Sequence, residues 1–168
     1  MGAGKSTVGA LLAELLGWRF GDLDTEIVKQ EGRSIAEIFT TVGEPQFRHI
    51  ESAVLQAYLR AEVAPAVIAL GGGTFIQAGN RALLREHHAK TVYLEADFDL
   101  LQGRCCTEEG TRPLMQDPIK FRDLFQQRRP IYSLADLTVS TAGRSADVIA
   151  AEIATNLEPN HARPAVSD

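Results

Sequence analysis

Met1-Gly2-Ala3-Gly4-Lys5-Ser6-Thr7 opens the chain. Gly4-Lys5-Ser6 is the second half of the Walker A pattern, G-x-x-x-x-G-K-[ST], and Gly2 and Thr7 flank it. In such a loop backbone N–H groups wrap the β-phosphate, the Lys reaches the β/γ oxygens and the Ser hydroxyl binds Mg²⁺. The plain alternative is a Gly-rich N-terminal tail. Val8, Leu11, Leu12, Leu15 and Leu16 argue against it, because they fall on one apolar helical face that Gly17 is placed to end. A phosphate loop needs such a helix, whose N-terminal dipole and free N–H groups hold the anion. The pattern's first Gly and the strand before it would precede Met1.

The 168 residues suit one domain with a real core. Apolar content of 45% and charged content of 23% are those of a globular protein. A net charge of −5 gives no broad basic field for nucleic acid or an anionic membrane. No apolar run is long enough to span a bilayer, and no signal peptide precedes the loop. Cys105 and Cys106 are adjacent, which makes neither a disulfide framework nor a zinc site, so a reduced cytoplasmic setting is expected.

Strand-like and helix-like stretches alternate. Strands are expected over 18–22, 66–70, 91–94 and 136–140. Helices are expected over 25–31, 44–60, 81–87, 97–105, 120–129 and 145–157. Ser34-Ile35-Ala36-Glu37 is a capping box. The continuous apolar run Ala66–Leu70 suits a buried parallel strand, and Pro130 is expected to stop a helix. Polar Thr107–Asp117 reads as a mobile loop, and 158–168 as a disordered tail. Alternation of this kind predicts an α/β fold with a parallel sheet between helix layers, and ligands at the carboxyl ends of the strands.

Asp22-Leu23-Asp24 falls at such a strand end. If the strand runs through both, the two carboxylates point the same way, one for Mg²⁺ and one for a substrate hydroxyl. Asp24 as a plain helix cap explains the pair equally well. Arg48 and Glu51 lie three apart on one helix face. They form either a surface ion pair or an Arg fork for a substrate carboxylate with Glu51 fixing its rotamer. Gly71-Gly72-Gly73-Thr74 after a strand makes sense where main chain must approach a ligand closely. Arg112 is either a solvated loop residue or a lid Arg closing over transferring phosphate. Arg128, near a helix end, is also explained by the helix dipole.

In this order, Gly-Lys-Ser, Asp-x-Asp, Gly-Arg-Ser-Ile (32–35), Gly-Glu-x-x-Phe-Arg-x-x-Glu (43–51), Gly-Gly-Gly-Thr (71–74), Arg-Pro-Leu (112–114) and Arg-x-Pro-x-Tyr (128–132) resemble the shikimate kinases from Met1 to about Leu157. The resemblance implies a three-layer α/β/α P-loop kinase fold, nucleoside monophosphate kinase-like, as a single domain over 1–157. The substrate-binding region would cover about 24–60 and the lid 107–117. It implies transfer of the ATP γ-phosphoryl to the 3-hydroxyl of shikimate, with Mg²⁺, in aromatic amino-acid synthesis by a monomer. Gly2, Gly4, Lys5, Ser6 and Thr7 would form the phosphate loop, with Ser6 and Asp22 at the metal. Asp24 would meet the reacting hydroxyl. Arg48 and Arg128 would grip the shikimate carboxylate over Gly71, Gly72 and Gly73, with Glu51 behind Arg48. Arg112 would be the lid Arg, and Arg104 the nearest match to an Arg at the adenine. By the same resemblance Met1 stands where the family has a Met inside the loop. A central apolar strand and the loop's first Gly are then expected to be missing, leaving neighbouring strands unpaired. Two other readings stay open, a gluconate-kinase-like enzyme and a non-catalytic nucleotide or shikimate binder.

Overall fold

The computed structural model describes residues 2–61, 65–98, 101 and 118–157. Helix α1 (Lys5–Leu16) follows the opening loop and ends at Gly17 in the left-handed region. Strand β1 (Arg19–Asp22) leads directly into α2 (Leu23–Glu31). Helix α3 (Ile35–Arg60) is broken at Gly43, whose φ of 77° and ψ of 170° are not helical. A side chain is strained at such a φ, so glycine divides the helix there, and Pro45 sits in the first turn beyond it. Strand β2 (Ala66–Ala69) precedes the Gly-rich segment and α4 (Ala78–Glu86). Strand β3 (Val92–Glu95), α5 (Pro118–Tyr132), β4 (Leu137–Ser140) and α6 (Ala146–Leu157) complete the described order.

The expected capping box is present. Ser34 Oγ accepts from Glu37 N at 3.2 Å, while Glu37 Oε2 accepts from Ser34 N at 2.8 Å. The hydrogen bonds from the Ser34 side chain and backbone hold the Glu37 carboxyl below its ordinary value. Such a cap contributes about 1 kcal/mol.

Both ladders are parallel. Arg19 pairs with Ala66 and Asp22 with Ala69, so β1 and β2 end together; Val92 pairs with Leu137 and Glu95 with Ser140. The strands form two separate two-stranded sheets, β1–β2 and β3–β4, with no ladder between β2 and β3 among the described residues. Helices join the two. Val8 and Leu12 of α1 pack with Ile149, Ala150 and Ile153 of α6 against Val67 of β2 and Val92, Leu137 and Val139 of the other pair. The opposite face of β2 offers Ile68 to Leu23, Ile27, Ile38, Phe47, Val54 and Leu55 from α2 and α3. Alternation along β2 therefore feeds two cores and gives helix, sheet and helix layers. Phe121 and Phe125 of α5 close a third cluster with Ala3, Phe98 and Leu101.

Three expectations change and one condition fails. The run 66–70 is not a fully buried strand: Ala66, Val67 and Ile68 are only partly covered, and among the described residues no strand ladders along the edge of β2 away from β1. The strand expected over 18–22 does end at Asp22, so the condition for alternation to align Asp22 with Asp24 is not met; Leu23 and Asp24 lie in the first turn of α2. Asp22, not Asp24, is the cap. Pro130 does not stop its helix, which runs on to Tyr132. Proline removes one donor, but its carbonyl side remains helical, and Ser133 N still donates to Arg129 O at 3.1 Å. The helix expected over 97–105 and the tail over 158–168 fall largely or wholly outside the described residues.

Candidate active site

The opening loop delivers an uncapped helix N-terminus. Gly4 is the N-cap of α1 with φ 78°, and its carbonyl accepts from Val8 N at 2.9 Å. No side chain caps that turn, and no acidic residue lies in it. Without a side-chain cap or an acidic residue there, the positive end of the helix dipole favours an anion. Lys5 is the first helical residue, and Ser6 and Thr7 follow it on the exposed side.

Ser6 Oγ donates to Asp22 Oδ2 at 2.6 Å, joining the loop to the end of β1. The other oxygen, Asp22 Oδ1, accepts from Asp24 N at 3.0 Å. One carboxylate thus holds Ser6 and also caps the helix that carries Asp24. A hydroxyl and a carboxylate oxygen this close fit Mg²⁺, which takes one or two protein oxygens and fills its octahedron with phosphate oxygens and water. Among the described residues no group of three or more His, Cys, Asp or Glu side chains could hold a metal by itself.

Gly71–Gly73 organises a second group of side chains. A methyl group at Gly71 would lie 3.0 Å from Asp24 Oδ1, 3.0 Å from Glu51 Oε1 and 3.1 Å from Thr74 Oγ1. A methyl group at Gly73 would collide with Nη1, Cζ and Nη2 of Arg48. A side chain at Gly73 would thus displace the Arg48 guanidinium, and one at Gly71 would crowd the Asp24 and Glu51 carboxylates. Gly72 turns its carbonyl to Arg128 Nη1 at 3.2 Å and to the Tyr132 hydroxyl. Asp24, Arg48, Glu51 and Arg128 come from three separate helices and meet on this one segment.

Glu51 is 1% exposed yet fully engaged. Its carboxylate accepts from Thr74 Oγ1 at 2.6 Å, Gln77 Nε2 at 3.0 Å and Arg48 Nη1 at 2.9 Å. Three donors, one of them charged, are what a buried carboxylate needs. Burial disfavours the Arg48 cation, but the Glu51 charge and the hydrogen bonds to Glu44 and Glu51 outweigh it and raise its pKa further. Phe39 and Phe47 face Arg48, with its Cζ 5.8 and 5.2 Å from their ring centroids. This pair is thus not the surface ion pair that spacing alone allows.

Sequence reasoning assigns no role to Thr74, Gln77 or Tyr132. Thr74 and Tyr132 sit inside quoted motifs, but the partners they hold lie 23 and 60 positions away. Asn80 Nδ2 donates to the Thr74 carbonyl at 3.0 Å and secures the same segment. Arg104, Arg112, the proposed lid and Cys105–Cys106 lie outside the described residues.

A Gly-Lys-Ser loop opening a helix, a Ser6–Asp22 hydrogen bond beside it, and Asp24, Arg48 and Glu51 gathered on a Gly-rich segment past the ends of β1 and β2 fit one class, a P-loop kinase of the α/β/α type. The chain belongs to the shikimate kinase family, whose family profile matches residues 1–158. It is 42% identical over 156 residues to a shikimate kinase of Cereibacter sphaeroides, covering 91% of this chain and 76% of that one. The solved structure of the Acinetobacter baumannii shikimate kinase in complex with shikimate superposes with a TM-score of 0.80 at 38% identity, over 91% of this chain and 86% of that one. A gluconokinase from Sinorhizobium meliloti 1021 has a TM-score of 0.62 at 21% identity, over 94% of this chain and 90% of that one, a likeness of fold alone.

Proposed function

We infer that this protein is a shikimate kinase that moves the γ-phosphoryl of ATP to the 3-hydroxyl of shikimate, giving shikimate 3-phosphate. The observation that carries the reading is the meeting of Asp24, Glu51 and the Arg48 guanidinium on Gly71–Gly73, beside an Asp22 carboxylate already tied to Ser6.

Roles follow from position. Gly2, Gly4, Lys5, Ser6 and Thr7 bind the ATP phosphates at the N-terminus of α1. Ser6 and Asp22 would hold Mg²⁺, which when bound would supply charge neutralisation for the transferring phosphate. Asp24 orients the acceptor hydroxyl and takes its proton. Phosphoryl transfer is mostly positioning and electrostatics, so holding that oxygen in line matters most. Arg48 and Arg128 bind the carboxylate, Glu51 fixes Arg48, and the bare main chain of Gly71–Gly73 lets the ring approach. By the family resemblance alone, Arg112 in the expected lid over 107–117 would offset phosphate charge, and Arg104 would be the Arg at adenine. The catalytic unit is one domain over 1–157, with acceptor binding over about 24–60 and a tail beyond 158. It acts as a monomer in the cytoplasm, in aromatic amino-acid synthesis. Among the described residues no helix is long and apolar enough to cross a membrane.

A gluconate kinase would also need a carboxylate grip, but an open-chain polyol gains little from a rigid glycine floor. Turnover of ATP with shikimate or gluconate, read by phosphorus NMR of the product, separates the two. The 3-phosphate of shikimate is expected. Phosphorylation of gluconate in preference, or ATP binding without transfer to either, would overturn the assignment.

A further inference from the structure

Arg48 divides its donors between two carboxylates of unequal standing. Glu44 Oε1 accepts from Nε at 3.3 Å and from Nη2 at 2.9 Å. Glu51 Oε2 accepts from Nη1 at 2.9 Å. Nε and Nη2 form the guanidinium edge best matched to a planar carboxylate. The protein's own carboxylate therefore occupies the edge that a substrate anion needs. Arg48 by itself already faces two carboxylates, so a third must compete for its donors.

Burial decides which partner can leave. Glu51 is 1% exposed and is also held by Thr74 and Gln77, so it stays. Releasing it would strand a charge in the core. Glu44 is 50% exposed and lies immediately after the break at Gly43. A rotation of its side chain returns its carboxylate to water, and ion pairs at such exposure are weak.

We propose that Glu44 is a built-in competitor for the substrate carboxylate, occupying the Nε–Nη2 edge of Arg48 until the acceptor displaces it. Glu44 keeps the guanidinium aligned while the pocket is empty and sets how tightly the acceptor is held. The proposal rests on the assignment of Arg48 to the substrate carboxylate.

The test is calorimetric titration of shikimate into the wild type, Glu44→Gln, Glu44→Ala and Arg48→Ala, with ATP titrated in parallel. Arg48→Lys replaces Arg48→Ala if the latter fails to fold. Both Glu44 variants are expected to bind shikimate about threefold to fivefold more tightly, the size of one weak ion pair, with ATP affinity unmoved. A group that only oriented Arg48 would weaken binding when removed. If Arg48→Ala loses shikimate while the Glu44 variants bind it equally or less well, the competition is refuted and the carboxylate assignment stands. If Arg48→Ala binds shikimate like the wild type, that assignment fails, and the competition with it.

Discussion

The guanidinium of Arg48 lies against the α-carbon of Gly73, in the space that any side chain at that position would fill. The glycine leaves room for the cation, and the Glu51 carboxylate behind it keeps the cation in that room. Gly73→Ala should therefore push Arg48 out of register rather than simply strain the turn. The expected result is a shikimate KM raised about tenfold or more, the usual scale for misplacing a binding group, with the KM for ATP little changed. Steady-state kinetics at varied shikimate and ATP would check it. An equal rise in both would mean that the substitution disturbs the whole fold.

Asp24 reaches the same segment from α2, with its backbone N–H anchored on Asp22. Asp24→Asn should lower kcat by roughly 10²-fold or more, as loss of a positioned proton acceptor does, while shikimate still binds. Turnover and calorimetry on one sample would separate the two effects. Near-normal turnover would reduce Asp24 to a residue of the helix's first turn.

Thr74 is buried, and its hydroxyl gives Glu51 one of its three donors. Thr74→Val keeps the shape and removes that donor. A loss of about 1–3 kcal/mol is expected in denaturant unfolding, because a buried carboxylate is left short of a partner. The shikimate KM should rise with it, since Glu51 holds Arg48. An unchanged denaturation midpoint would show that water takes the place of the hydroxyl.

Asp136 fastens the start of β4 to the start of β3. Its Oδ2 accepts from Thr91 N at 2.8 Å and Thr91 Oγ1 at 2.7 Å, and these bonds hold its carboxyl below its ordinary value. A depressed folded-state pKa adds stability above the unfolded-state value, and that stability is lost as pH falls through the folded one. Asp136→Asn should thus destabilise the protein at neutral pH by about 1 kcal/mol, a modest figure because water screens the exposed group. The gap from wild type should close as pH drops below the ordinary carboxylate range. Melting curves across that range would show it, and a gap independent of pH would contradict the linkage.

What was legible in the sequence is what short-range chemistry fixes. Ser34 and Glu37 cap a helix through bonds spanning three residues, so their spacing states the outcome. Gly4-Lys5-Ser6 announces a helix N-terminus built for an anion. The motif residues Asp24, Arg48, Glu51 and Gly71–Gly73 were nameable one by one. Their meeting point was not, because it depends on how α2 and α3 cross the ends of β1 and β2. Tyr132 shows the limit well. A proline two residues earlier reads locally as a helix stop, whereas tertiary packing carries the helix on and delivers the hydroxyl to Gly72. The partly covered β2 is a second case. An apolar run states what a strand would bury and leaves unstated whether a neighbour ladders beside it.

The central claim is that a P-loop kinase site here selects its acceptor through a carboxylate held by Arg48. It is tested most directly by kcat/KM for shikimate and for its uncharged methyl ester, in the wild type and in Arg48→Ala. The wild type should prefer the acid by roughly 10²-fold, about 2.7 kcal/mol of charge-assisted hydrogen bonding, and the preference should collapse in the variant. An ester used as well as the acid, or a preference that survives loss of Arg48, would contradict it.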